Sequence, residues 1–193
     1  PDVVLIEKKE NIGAPAWNEG FAKARGRYFI ILDDDSHIES GLEEAIEHLD
    51  MHPDIGVLAL NVVTGPYTSD MWLWEDGADT VGFIGCGAIL RRETYEKAGG
   101  YADWMFLYVN EWELGMRVME AGYRVSFFEK CIVNHRASKV NRSSKRLKVL
   151  VMKHELAIVY KYFRTNRTKY LLRVIANSMK VSLKYFRLKD IWY

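Results

Sequence analysis

The chain has 193 residues, 49% of them hydrophobic and 27% charged, a balance that fits one globular domain with a sizeable core and excludes disorder over the whole length. Two cysteines, Cys86 and Cys131, lie far apart without CxxC spacing, which argues against a disulfide framework or a zinc knuckle, and no uncharged apolar run reaches the roughly eighteen residues of a membrane span. The net charge of +1 hides a polarity: residues 136–193 hold sixteen Lys or Arg against two acids, or +14, and residues 1–135 hold eleven against twenty-four, or −13.

The first element is Val3 to Ile6, a short apolar run rich in β-branched residues that reads as a buried strand. It begins only two residues after Pro1, so the sequence reads as a fragment. Gly13 and Pro15 then punctuate a turn, and the Ala, Trp and Phe spacing between Asn11 and Arg25 suits a helix. Tyr28 to Leu32 is a second buried strand, so the opening follows the strand, helix, strand grammar of a parallel sheet. Leu42, Ala45, Ile46 and Leu49 recur at helical spacing with Glu43, Glu44 and Glu47 on the other face. Val57 to Val63 is a further apolar run, and Thr64 to Gly77 reads as a long irregular loop of the kind that often carries function. Gly82 to Leu90 is glycine-rich and apolar, Glu111 to Ala121 is helical, and Tyr123 to Phe128 and Cys131 to Asn134 have strand composition. Leu147, Leu150 and Val151 predict a helix over 144–163, and Leu171, Ile175, Met179 and Leu183 another over 169–186.

Several residues carry possible chemistry. Asp33, Asp34 and Asp35 stand at the carboxyl end of a buried strand, where open α/β sheets bind ligands. Strand alternation points Asp33 and Asp35 one way and Asp34 the other. A hard divalent ion held with substrate phosphates would offset their repulsion; the plainer alternative is a solvated acidic turn. Glu111 and Glu113 open a helix, where a carboxylate suits a general base or simply complements the helix dipole. His135 follows a strand-like run and offers a neutral imidazole to a metal, or is a satisfied polar residue. Gly85 and Gly87 flank Cys86 and allow either close substrate approach or a bend. Trp72, Trp74 and Trp104 suit stacking on a sugar face or packing in a core or lid.

Taken in order, NIGAPAWNEGFAKARGRYFIILDDD and GCGAILRRETYEKAGGYADWMFLYVNEWELGMRVMEAGYRVSFFEKCIVNH resemble the large inverting glycosyltransferase family 2, over roughly residues 3 to 138. The resemblance implies a GT-A fold: an α/β open, mostly parallel sheet flanked by helices. Its domain over 1–138 would lack a first strand-helix-strand unit, and a helical extension over 139–193 would follow. It also implies transfer of a sugar from a nucleotide-diphosphate sugar to an acceptor hydroxyl with inversion. The acceptor would be a saccharide or a lipid-linked saccharide, as in polysaccharide biosynthesis. On this pattern Asp33, Asp34, Asn11, Asn18 and Arg117 fall on the donor side, and Gly85, Cys86, Gly87 and Glu113 on the acceptor side. Asp35 and His135 would hold Mg²⁺ or Mn²⁺, and Glu111 would be the catalytic base. Two departures stand out: the family's more common Glu-Asp pair is Asn110-Glu111 here, and its arginine before the helix asparagine is Trp17. The alternative is a non-catalytic nucleotide- or sugar-binding module of the same fold.

The basic extension interleaves aromatics and leucines with Lys and Arg, which favours an anionic membrane surface over nucleic acid, for which no recognition motif is present. The plainer alternative is that its charge complements the acidic body. Cysteine usage makes a reducing cytosolic setting the default expectation, with peripheral attachment at the inner face of a membrane.

Overall fold

A computed structural model describes residues 3–64, 74–136 and 144–189. Trp72 and the middle of the expected loop after Thr64 lie outside these residues, as does the expected boundary at 138/139. The elements in order are α1 (Ala16–Lys23), β1 (Tyr28–Ile31), β2 (Ser36–Ser40), α2 (Leu42–Met51), β3 (Ile55–Thr64), β4 (Asp79–Thr80), β5 (Ala88–Arg91), α3 (Arg92–Ala98), α4 (Asn110–Glu120), β6 (Arg124–His135), α5 (Ser144–Tyr162) and α6 (Arg167–Lys189). Two compact units result, one of Pro1–Phe106 with Asn110–Lys139 and one of Leu107–Val109 with Val140–Tyr193.

The first unit is built on a sheet of order β1-β5-β3-β6-β2, with β4 also paired on β6. Its central strand β3 is apolar from Ile55 to Leu60, where both of its faces are covered, and Asn61 is its first polar residue. Val57 and Ala59 enter one core with Phe21 of α1, Tyr95 of α3 and Leu114 and Val118 of α4. Leu58, Leu60 and Val62 enter a second core with Ala45 and Leu49 of α2. The period-two alternation of one strand thus divides its side chains between two helical layers. Truncating a fully buried residue such as Leu58 to Ala would cost about 2–5 kcal/mol.

Strand direction departs from the mostly parallel sheet the sequence led us to expect. Among the described residues only β3 and β6 run parallel. The pairs β1·β5, β3·β5, β2·β6 and β4·β6 are antiparallel. The apolar pattern of a buried strand carries no direction. Val3 to Ile6 also differs from expectation. It forms no strand, and Val3, Val4 and Leu5 are 85%, 65% and 79% exposed, because an apolar run becomes a strand only against a ladder partner. The helix foreseen over Asn11–Arg25 is confined to α1. The two strand-like runs after α4 join into the twelve-residue β6. Its register against β3 jumps at Leu60/Asn61 from Phe128 to Ile132, so an irregularity absorbs the exposed Glu129 and Lys130 and the buried Cys131.

In the second unit, α5 and α6 are held across their short connection by an edge-on contact of Phe163 and Tyr170 at 4.9 Å and by Arg167 Nε donating to Phe163 O at 3.0 Å. Arg167 also lies over the Tyr160 ring at 5.0 Å. His154 of α5 is fully buried, with Nδ1 2.9 Å from Tyr108 O.

Candidate active site

The aspartates occupy a tight turn between β1 and β2. Ser36 N donates to Asp33 O at 3.1 Å, and Asp33 N donates to Ser36 Oγ at 2.8 Å. The turn is pinned to the carboxyl end of β6. Ser36 pairs with His135 in the ladder, Arg136 N donates to Asp35 O at 2.9 Å, and the Arg136 guanidinium donates to Asp34 O at 2.9 Å. Strand pairing therefore dictates which side chains meet. His135 Nε2 comes within 3.3 Å of Asp35 Oδ1. Because β5 runs antiparallel to β1 with Ala88 opposite Ile31, the segment entering β5 lies at the end where β1 releases the aspartates. Ligand-type atoms of Asp33, Cys86 and His135 consequently lie within 4.8 Å of one another. Cys86, expected on the acceptor side, thus stands beside Asp33 and His135. Asp34 is exposed and contributes its backbone carbonyl to the turn.

This group fits a divalent cation. His135 is 8% exposed, and its Nε2 is buried without a hydrogen bond among the described residues. Carboxylate oxygens stand beside it, and a buried imidazole nitrogen facing carboxylates is a common cation-binding arrangement. Asp35 and His135 would hold the ion, which when bound would offset negative charge on a substrate diphosphate.

Glu111 lies in the first turn of α4, facing the glycine-rich segment. A Cβ on Gly85 would stand 2.4 Å from Glu111 Oε1, so the glycine makes room for this carboxylate. Burial pushes the Glu111 carboxyl up to about 7, the Asp33 charge adds to the rise, and hydrogen bonds from its own backbone and from Asn110 oppose it. Part of its surface remains open, as a proton acceptor requires. Tyr108 and Val109, the residues before α4, hold left-handed φ angles of 68° and 64°, which are costly for an aromatic and a β-branched residue. Tyr101 was not foreseen. Its phenol is buried, and burial followed by the charge of Glu111 raises its pKa, with Tyr95 and Asp33 adding to the rise, so it belongs to this cluster. Its only sequence signal is the Gly-Gly-Tyr after α3.

Five expected site residues are held by contacts within the fold. Glu113 is fully buried and bound by Arg117, with Nε at 3.0 Å from Oε1 and a terminal nitrogen at 2.6 Å from Oε2. Arg117 also donates to Ala98 O, fastening α4 to the end of α3. The pair braces α4 from within, with the Glu113 carboxylate 1% and the Arg117 side chain 17% exposed. Asn18 donates through Nδ2 to Tyr101 O at 2.8 Å, and its Oδ1 accepts from Tyr101 N at 2.8 Å and from the Tyr95 hydroxyl. Its amide positions Tyr101. Asn11 Oδ1 accepts from Gly13 N at 3.0 Å and shapes the turn before α1, while Gly87 packs against Val62. Trp104 is over a third exposed, and Trp74 packs edge-on against Phe127 at 5.8 Å.

One strand end thus combines a cation-binding set with a carboxylate poised near neutrality, an arrangement able to bind a diphosphate and to take a proton from a hydroxyl. A family model described as glycosyl transferase family 2 matches residues 1–115. The chain belongs to this family. Several solved structures are also similar to it. A mannosyltransferase, PcManGT, from Pyrobaculum calidifontis in complex with GDP-Man and Mn²⁺ aligns with a TM-score of 0.63 and 21% identity, over 91% of this chain and 52% of that one. S. aureus TarS 1-349 in complex with UDP-GlcNAc aligns at 0.60 and 13%, over 90% and 55%. GalNAc-T7 with UDP, GalNAc and Mn²⁺ aligns at 0.66 and 14%, over 94% and 41%. The chain spans about half the length, or less, of these proteins, and at such identities the likeness shows the fold, a mixed α/β sheet flanked by helices, as in GT-A glycosyltransferases. No curated protein sequence matches the chain significantly.

Proposed function

We propose that the chain carries the transfer site of an inverting, metal-dependent glycosyltransferase that moves a sugar from a nucleotide-diphosphate sugar to the hydroxyl of a saccharide or lipid-linked acceptor. The observation carrying this reading is that the Asp35–His135 pair and Glu111 share one strand end, with Asp33 close enough to raise the Glu111 pKa. Asp33 faces the nucleotide, and Asp35 with His135 holds Mg²⁺ or Mn²⁺ on the diphosphate; Mn²⁺ in two of the solved neighbours supports that choice. Glu111 Oε takes the proton of the acceptor hydroxyl as its oxygen attacks the anomeric carbon from the side opposite the diphosphate. The bond from that carbon to the diphosphate oxygen breaks, and the nucleoside diphosphate leaves with the electron pair. Tyr101, buried beside the base and held through its backbone by Asn18, keeps the neighbourhood dry and Glu111 proton-hungry.

A non-catalytic sugar- or nucleotide-binding module is the second reading, favoured by Asn110 where the family more often has an acid. The experiment separating the two is hydrolysis of a panel of UDP-, GDP- and dTDP-sugars with Mn²⁺. Release of nucleoside diphosphate supports the transferase, and binding of a nucleotide sugar without release supports the module.

For the basic extension the proposed partner is an anionic membrane surface on the cytoplasmic side. α6 holds seven Lys or Arg and no acid, and Leu172, Ile175, Met179 and Leu183 form an exposed stripe along it. Among the described residues no helix is long and apolar enough to cross a membrane, so α6 would lie along the surface. Sedimentation with phosphatidylserine vesicles should recover the protein at low salt and lose it at high salt. Absence of binding at low salt would defeat this assignment.

A further inference from the structure

We propose that Asp33, Cys86 and His135 form a thiophilic metal site, which takes Zn²⁺ or a similarly borderline cation through one carboxylate oxygen, one thiolate and one imidazole nitrogen. It rests on the transferase reading only in sharing Asp33 and His135 with the donor site.

The three ligand atoms lie within 4.8 Å of one another. Around a four-coordinate zinc with bonds of roughly 2.0–2.3 Å, neighbouring ligand atoms are roughly 3.3–3.8 Å apart, so small side-chain rotations close the set. His135 is more than nine-tenths buried and its Nε2 makes no hydrogen bond among the described residues. Cys86 is 3% exposed and brings a sulfur beside the Asp33 carboxylate and the His135 imidazole. Three protein ligands leave a fourth position for water or for Asp35, whose Oδ1 is already 3.3 Å from His135. Hard Mg²⁺ and Mn²⁺ favour the oxygens and a diphosphate, whereas a sulfur donor shifts preference towards Zn²⁺, Co²⁺ and Cd²⁺, and raw affinity for Zn²⁺ exceeds that for Mn²⁺. Binding breaks the Cys86 S–H bond, forms a metal–sulfur bond and releases one proton to solvent. Zn²⁺ would therefore compete with the ion that supports donor binding, because both need His135.

The test is titration of the chelator-treated 193-residue chain with Co²⁺, followed by absorbance. The expected result is a thiolate-to-cobalt charge-transfer band at one equivalent, lost in Cys86→Ser, retained in Cys131→Ser and weakened in His135→Gln. Absence of the band in the native sequence, or its persistence in Cys86→Ser, would overturn the proposal. X-ray absorption of the Zn²⁺-loaded native chain needs no variant: one sulfur at about 2.3 Å supports the site, and a shell of nitrogen and oxygen alone refutes it. Neither readout depends on turnover. A sulfur-ligated metal in a protein that releases no nucleoside diphosphate would sink the transferase reading and leave this one standing, and the converse result would do the reverse.

Discussion

Replacing Glu111 by Gln should make the protein more stable and less active at once. In the folded chain this carboxyl ionises at about 7 instead of near 4.5, chiefly because burial disfavours its charge. A raised carboxyl contributes stability that is fully present below about pH 4.5 and is lost as pH rises through about 7. The difference amounts to up to about 3 kcal/mol, an upper bound because part of the side chain still meets water. A glutamine side chain has the same shape and no charge to desolvate, so the Glu111→Gln variant escapes this loss. Urea unfolding without divalent cations should give matching midpoints for the two proteins near pH 4.5 and a clear advantage for Glu111→Gln at about pH 8. Parallel pH–stability curves would show instead that the charge of Glu111 costs nothing on folding. The kinetic counterpart is loss of transfer, and near-normal turnover in Glu111→Gln would sink its assignment as base.

The pH dependence of kcat/KM should rise with pH through a single ionisation near 7, when Glu111 becomes able to accept a proton, and Glu111→Asp should move that limb. Gly85→Ala places a Cβ 2.4 Å from Glu111 Oε1 and must displace that carboxylate, so kcat should fall on the order of 10²-fold with donor KM little changed, as steady-state kinetics would read. Arg117→Met leaves the Glu113 carboxylate buried without its partner, at a cost of about 3–5 kcal/mol in urea unfolding, and adding Glu113→Leu should recover most of it. Asn18→Ala removes both amide bonds to the Tyr101 backbone and should cost about 1–3 kcal/mol in the same assay.

Elements with a strong period were legible in the sequence. β1 and most of β3 are apolar runs, and α2, α4, α5 and α6 show helical spacing, so their existence follows from patterning alone. β2 was not legible, because Ser-His-Ile-Glu-Ser is short and polar and becomes a strand only where β6 offers a ladder. β4 has two residues and no pattern to read. Val3 to Ile6 erred in the other direction, with strand composition and no partner strand among the described residues. Within the site, the aspartates, Glu111 and His135 were found through motif order. Their convergence follows from the β1·β5 and β2·β6 pairings, which spacing does not encode. Glu113 and Arg117, four residues apart on a helix, read as ligand-facing groups, yet burial of that face turns them into an internal brace. Tyr101 gained its place only from tertiary packing, which also brings Cys86, expected from motif order, beside Asp33 and His135.

In the proposed reaction Asp35 holds the cation and Glu111 takes the proton. Donor binding by calorimetry with Mn²⁺ and nucleoside diphosphate release should be measured in the native chain, Asp35→Asn and Glu111→Gln. Asp35→Asn should lose Mn²⁺-dependent donor binding and release together, while Glu111→Gln keeps donor binding and loses transfer. Release unaffected by removing Mn²⁺, or undiminished in Glu111→Gln, would contradict the account.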